Sequence, residues 1–521
     1  MARTGTKKAQ APLTTAQQLG SIIKSARDIM RKDKGLNGEL DRLPLLTWIM
    51  FLKFLDDLEH MREEESKMSG ERFRPAIQAP YRWRDWAAKE EGITGDELIA
   101  FVNNDDTVLP NGKRGPGLFR YLSKLQGANG GDRRDVIATV FKGVDNRMRN
   151  GYLLRDVLNK VNSIHFTSSE EIHTLSHVYE SMLKEMRDAA GDSGEFYTPR
   201  PVIRFMVEVT DPKLGETVLD PACGTGGFLV ESFAHMEKQC KTVQDRQLLQ
   251  KQSVYGGEPK SLPYMLVQMN LLLHGLEYPQ ISPRNSLDVK VSEIGDKDRV
   301  DIILTNPPFG GEEERGILNN FPADKQTAET ALLFLQLIMR KLRRQPKPGR
   351  AAVVVPNGVL FGDGISARIK EDLLLNFNLH TIVRLPNGVF APYTNIAINL
   401  LFFDRSGPTK DIWFYEHPLP QGKKQYTKTQ PLEYDEFAPS ISWWNARRAT
   451  RQAWKVASKD VLKYDDDGRT VQSVNLDIKN PNGPHDLEHV PAEKLVEGLL
   501  SREHEVMNLL KEIQRLLEAA N

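Results

Sequence analysis

The residues with the clearest chemical potential are Asn306-Pro307-Pro308-Phe309, directly after Thr305. The run before them, Val300-Asp301-Ile302-Ile303-Leu304, is short, apolar and β-branched, the pattern of a buried strand in a parallel sheet. The motif therefore hangs from a strand's C-terminal end, the edge where open α/β sheets bind ligands. Two adjacent prolines fix φ, supply no N–H and hold the preceding residue extended, so the strand ends in a rigid corner that presents groups. The chemistry that suits this corner is methylation of an exocyclic amine. The Asn306 side-chain oxygen and the Pro307 carbonyl can accept the amine's two N–H bonds, which frees a lone pair otherwise delocalised into an aromatic ring. Phe309 would stack on a flipped-out base. Taken alone, the motif is equally a Pro-rich strand-to-loop turn, and it needs a partner.

That partner lies upstream. Thr217-Val218-Leu219-Asp220 is strand-like and leads into Pro221-Ala222-Cys223-Gly224-Thr225-Gly226-Gly227-Phe228. Gly224, Gly226 and Gly227 allow a tight turn and close backbone approach to a ligand, and an apolar helix with Leu229, Val230 and Phe233 follows. The spacing is not the G-x-G-x-x-G of a pyrophosphate loop. An acidic strand end with a compact Gly-Thr-Gly-Gly suits a sulfonium and amino-acid ligand better. Ser253-Val254-Tyr255-Gly256-Gly257-Glu258 is a second short strand, and its Glu258 is placed to accept hydrogen bonds from both ribose hydroxyls. Each carboxylate alone reads as a solvated loop residue; in order and at strand ends, together they favour a site.

The two motifs together resemble those of S-adenosylmethionine-dependent methyltransferases acting on DNA adenine, and finer features resemble the modification (M) subunit of type I restriction-modification systems. Glu195-Phe196-Tyr197-Thr198-Pro199-Arg200 is similar to the signature that opens that family's catalytic domain and helps cover the methionine end of the cofactor. Asn285 resembles the position beside the cofactor's adenine ring, and a turn-forming Asn explains it equally well. Leu385-Pro386-Asn387-Gly388-Val389-Phe390 with Thr394-Asn395-Ile396 resembles the segment after the sixth strand, and Asn475 to Pro481 the C-terminal signature. The likeness runs from about residue 15 to the end.

The resemblance implies a cofactor site of Glu195, Phe196, Tyr197, Thr198, Asp220, Pro221, Gly224, Thr225, Gly226, Gly227, Glu258 and Asn285, a catalytic group of Asn306, Pro307, Pro308 and Phe309, and no metal. It also implies a separate specificity (S) subunit clasped by two M subunits, double-stranded DNA as substrate, and a restriction (R) subunit where one is present.

The elements that must position these groups are legible in outline. From Gly194 onward, strands at 217 to 220, 253 to 257, 300 to 304, 351 to 355 and 380 to 385 alternate with helices, among them Pro201 to Val209 and Ala328 to Leu342. Such alternation predicts an α/β, doubly wound parallel sheet; by the resemblance it is Rossmann-like, with Asn395 to Phe403 as an antiparallel seventh strand. After Trp413 the chain is mixed and polar, with Trp443, Trp444 and Trp454 as anchors.

Upstream, Gln17 to Glu65 is helical, and Leu45, Leu46, Trp48, Ile49, Phe51, Leu52, Phe54 and Leu55 are too dense for a surface helix. Between Glu71 and Trp86, arginines interleave with Tyr81, Trp83 and Trp86, as in a nucleic-acid contact or a loop packing its tryptophans. A Gly- and Pro-rich stretch from Leu109 to Gly131 reads as an exposed loop. The expected divisions are a disordered 1–14, an N-terminal helical domain over 15–165, the methyltransferase domain over 166–480, and a tail over 481–521. That tail holds an amphipathic, subunit-binding helix with Leu499, Val506, Leu510, Ile513 and Leu517 in its stripe.

Composition bounds the function. Lys plus Arg and Asp plus Glu both number 70, so a chain of 521 residues has no basic surplus, and another subunit is expected to supply much of the grip on DNA. Two cysteines, Cys223 and Cys240, give neither a disulfide framework nor a zinc site and fit a reducing cytoplasm. No stretch is long and apolar enough to span a membrane. Neither cysteine follows proline, as the thiolate of a cytosine-C5 methyltransferase would. The absence of G-x-x-x-x-G-K-[ST] argues against a translocating subunit. The remaining alternatives are cytosine-N4 methylation and a catalytically inactive subunit that only positions DNA.

Overall fold

The computed structural model describes residues 15–70, 73–127, 133–164, 198–311, 313–391, 394, 396–482, 503 and 507. The C-terminal stripe and Glu195, Phe196 and Tyr197 lie outside these residues. Asn395 does too.

Among the described residues the main sheet has nine strands: β1 (Val218–Asp220), β2 (Val254–Gly257), β3 (Gln280–Ser282), β4 (Ile302–Thr305), β5 (Arg350–Pro356), β6 (Asn378–Arg384), β7 (Ile398–Asp404), β8 (Asp411–Glu416) and β9 (Ala453–Ala457). Their order is β9-β8-β6-β7-β5-β4-β1-β2-β3. β3, β2, β1, β4 and β5 pair in parallel. β7 inserts antiparallel between β5 and β6, as the family likeness implies. The doubly wound expectation holds, and the sheet is wider than the sequence suggested. β8, which spans Trp413, pairs parallel to β6, and β9 closes the edge antiparallel within the stretch expected to be mixed and polar. There Trp454 stacks on Phe414 at 5.3 Å between ring centroids and Trp443 packs edge-on against Trp413 at 5.8 Å, while Trp444 packs edge-on against Phe402 of β7 at 4.7 Å.

The helices around the sheet include, among the described residues, α1 (Thr15–Met30), α2 (Glu39–Ser69), α3 (Gly95–Asn103), α4 (Arg133–Phe141), α5 (Gly151–Asn162), α6 (Arg200–Thr210), α7 (Gly227–Glu237), α8 (Ser261–Leu273), α9 (Thr330–Lys341) and α10 (Ile365–Asn376). Alternation along β5 sends its side chains to two cores. Ala352 and Val354 join a core shared with α6, α7 and α8, and Ala351, Val353 and Val355 join one with α9 and α10. The first core runs without interruption into the N-terminal helices, so the dense apolar face of α2 is interior: Trp48, Ile49, Phe51 and Phe54 are each at most 1% exposed.

The arginine- and tryptophan-rich segment packs its rings. Trp83 and Trp86 are buried, Tyr81 stacks on Tyr121, Arg82 pairs with Asp85, and Arg84 pairs with Asp56 and Glu63. The Gly- and Pro-rich stretch is exposed at its tip, Asn111 to Arg114, but then turns inward to bury Leu118 and Leu122. Among the described residues, no helix is long and apolar enough to cross a membrane.

Candidate active site

All the strand ends that matter meet on one edge of the sheet. β4 lies between β1 and β5, so the corner after Thr305 sits beside the end of β1, where the glycine loop begins. Thr305 is fully buried, and its hydroxyl donates to Asp220 Oδ1 at 2.6 Å. The next side chain, Asn306, donates from Nδ2 to Thr198 Oγ1 at 3.0 Å, while its Oδ1 is buried and has no hydrogen-bond partner. An orphaned buried carbonyl costs about 1–3 kcal/mol, so an amide held by one end with the other left open is arranged to accept from something else. Pro307 is buried; Pro308 and Phe309 are half-buried, and the Phe309 ring lies 6.2 Å from Phe390, tilted by 57°.

The glycine loop is shaped by steric exclusion. Gly224 and Gly226 take φ of 52° and 81°, left-handed values that L side chains rarely adopt. A Cβ at Gly226 would lie 2.5 Å from Val267 of α8. The loop is laced to its neighbours through Cys223 N to Gly257 O at 3.0 Å and Asn270 Nδ2 to Thr225 O at 2.8 Å. At Gly257 a Cβ would meet Ser286 Oγ at 2.3 Å, the same hydroxyl that donates to Pro221 O at 2.7 Å. Gly227 then opens α7, and Arg200 of α6 donates to its carbonyl at 3.3 Å.

Both carboxylates brace the loop. Glu258 accepts from Gly224 N at 3.1 Å and from Lys260 N at 2.9 Å, one of these bonds to each oxygen, which fixes the plane of the carboxylate. Asp220 is 1% exposed and accepts from Ala222 N at 3.1 Å as well as from Thr305. Burial raises its pKa to about 7, with the Glu258 charge adding to the shift and the two hydrogen bonds opposing it. Asp220 therefore sits beneath the loop as its support. Burial also pushes the Cys223 thiol well up, helped by Asp220 and Glu258, so Cys223 is a neutral core group and no nucleophile.

Asn285 does what a turn-forming residue does: its Oδ1 accepts from Leu287 N at 3.0 Å and its Nδ2 donates to Glu313 at 3.4 Å. The structure thus gathers Thr198, Asp220, Pro221, Gly224 to Gly227, Glu258 and Asn306 to Phe309 around one sheet edge. It adds four residues not singled out as site residues: Thr305, Asn270, Ser286 and Phe390. Thr305 had a signal, a hydroxyl closing an apolar strand; Asn270 had only a polar residue inside an apolar helix.

Comparison with known proteins shows the family. Residues 170–480 match the N-6 DNA Methylase family model, and residues 19–161 match that of the HsdM N-terminal domain. The chain is 46% identical over 512 residues to the type I restriction enzyme EcoEI methylase subunit of Escherichia coli, covering 96% of this chain and 98% of that one. Among solved structures it is similar to a modification subunit of a putative type I restriction enzyme from Vibrio vulnificus YJ016, with TM-score 0.85 and 71% identity over 92% of this chain and all of the other. A chain solved in work on complex assembly and conformational transition of the type I R-M system aligns with TM-score 0.76 and 38% identity, over 98% of this chain and 100% of that one.

Proposed function

Because the chain belongs to the N-6 DNA methylase family, as a modification subunit of a type I restriction-modification system, we propose that it moves a methyl group from S-adenosylmethionine to the N6 amine of a flipped-out adenine in DNA. The observation that carries this reading is the Asn306 side chain, anchored through Nδ2 and open at a buried Oδ1. That acceptor and the Pro307 carbonyl take the two N–H bonds of the adenine amine and turn its lone pair out of the ring. Phe309 stacks on the extruded base. The family is an N-6 rather than an N-4 methylase, which disfavours cytosine as the target.

The loop fits the cofactor on its own terms. Two left-handed glycines and the crowded Gly257 leave room for a nucleoside against bare backbone, and Glu258, its carboxylate oriented by two backbone N–H groups, is proposed to accept from the ribose hydroxyls. S-adenosylmethionine supplies an electrophilic methyl and leaves as a neutral thioether. Glu195, Phe196 and Tyr197 are proposed to cover its methionine end and Asn285 to lie beside its adenine. Recognition of the DNA sequence is assigned to a specificity subunit clasped by two copies of this chain, with a restriction subunit completing the assembly where present. The equal numbers of acidic and basic residues support that division of labour.

The test is radiolabelled methyl transfer by the chain assembled with its specificity subunit. Asn306→Ala should lower kcat by about 10²–10³, the usual cost of losing one preorganised hydrogen-bonding group at a reacting centre, while S-adenosylmethionine still binds. Near wild-type transfer by that variant would rule out this corner as the active site.

A further inference from the structure

On the same sheet edge, beyond β5, lies a cavity of about 790 Å³ that no step above uses. The C-terminal ends of β6 and β8 and the start of β7 form its floor, through Arg384, Glu416, Ile398 and Asn399. One loop joins it to the catalytic corner. Leu385, Pro386 and Asn387 line the cavity, and three residues later Phe390 packs against Phe309. β4 and β6 are three strands apart, so at about 4.8 Å per strand the cavity opens roughly 15 Å from Asn306.

The lining is rich in amides and poor in net charge. Asn399, 2% exposed, donates to Asn357 Oδ1 at 3.1 Å; Asn357 donates to Asp477 Oδ2 at 3.3 Å; Arg384 donates to the other Asp477 oxygen at 2.6 Å. Asn480 donates to Glu416 Oε2 at 2.9 Å. The acid and base of the floor thus neutralise one another, and burial keeps His417 uncharged near neutral pH. Such a site favours neither a free phosphate nor a cation. With Asn357 and Asn399 bonded to one another, and Asn357 and Asn480 to the carboxylates, Asn387 and Gln452 bring further carboxamides to the lining, groups that pair bidentately with base edges, and the exposed Arg451 adds a cation for a phosphodiester. The volume accommodates a nucleoside.

We propose that this cavity is a second nucleoside pocket, taking one unstacked base of the DNA that flanks the target adenine. It rests on the reading of Asn306 as the target-base site, because the shared loop and the offset of roughly 15 Å are both referred to that residue. At about 3.4 Å per base pair the occupant lies within roughly five nucleotides of the target. Extruding it costs a few kcal/mol, which the amide contacts offset.

The experiment uses the chain assembled with its specificity subunit and duplexes in which 2-aminopurine replaces one base at a time, at the target and at each flanking position. Binding should brighten two positions, the target and one flank within about five nucleotides, since each loses its stacking neighbours. Gln452→Ala and, separately, the surface variant Asn387→Ala should abolish the flank signal alone and raise KM for DNA about tenfold with kcat unchanged. Brightening at the target only, or a flank signal unaffected by both variants, overturns the pocket and leaves the corner intact. Loss of the target signal in the wild type would instead refute the corner, and the pocket is then judged by its flank signal alone.

Discussion

Thr305 closes β4 by giving its hydroxyl proton to Asp220 at the end of β1, 2.6 Å away and out of reach of water. One bond thereby ties the strand that presents the amine-binding corner to the strand that launches the glycine loop. Without Asp220 the buried Thr305 hydroxyl would lose its acceptor, whereas Asp220 Oδ1 would keep the Ala222 N–H, and a hydrogen bond to a buried ionisable group contributes about 1.5–3 kcal/mol.

Thr305→Val keeps the strand's shape and removes the donor. Stability should fall by about 1.5–3 kcal/mol, read from urea unfolding, and S-adenosylmethionine affinity should fall with it in calorimetric titration. Unchanged affinity would show that the two halves of the site are set independently.

Asp220→Asn should behave differently with pH. The folded-state pKa of about 7 lies above the ordinary 3.8, so folding penalises the ionised form; the penalty is absent below about pH 4, grows towards pH 7 and is complete above it. Asparagine keeps an acceptor for Thr305 and cannot ionise. Its melting temperature relative to wild type should therefore climb between pH 4 and 8, with a limit of about 4 kcal/mol at roughly 1.4 kcal/mol per unit. A difference that stays flat across that range would mean that Asp220 ionises freely.

Thr198→Val deletes the acceptor that anchors the Asn306 amide. Thr198 is then tested as a positioning residue: kcat should drop about tenfold, while Thr198→Ser restores it and the KM for S-adenosylmethionine changes less than kcat. Equal losses for valine and serine would assign Thr198 a packing role.

Lys370 of α10 is 1% exposed and its ammonium has no hydrogen-bond partner; burial lowers its pKa to about 8. Here the protonated form is penalised, fully below pH 8 and not at all above about 10.5. Lys370→Met should stabilise the protein by about 3 kcal/mol at pH 7, and the advantage should vanish as the pH approaches 10.5 in thermal melts.

Much of the site was legible because its chemistry is compressed into short runs at strand ends. Asn306 to Phe309, Gly224 to Gly227 and Glu258 stand at strand ends, where their local patterns put them, and only in combination did they point to a site. What could not be read was contact between distant segments: Asn270 with Thr225, Ser286 with Pro221, Phe390 with Phe309. Local pattern also hid part of the sheet. Gln280–Ser282 is too short and polar to register as a strand, and Asp411–Glu416 has the apolar run Ile412 to Tyr415 but opens the segment that otherwise reads as polar coil. The tryptophans between Tyr81 and Trp86 show the converse, since a pattern suited to nucleic acid is spent on packing.

The uninterrupted core between the N-terminal helices and one face of the sheet bears on how such a chain can evolve. Gly143, just after α4, leaves no space for a Cβ against Ser261 of α8, which would come within 2.5 Å of its Oγ, and Arg62 of α2 pairs with Glu277 just beyond α8 at 2.7 Å. A helical segment borrowed from a relative would bring its own knobs to holes cut for another. Exchange of the helical segment alone should therefore cost stability unless α8 changes with it.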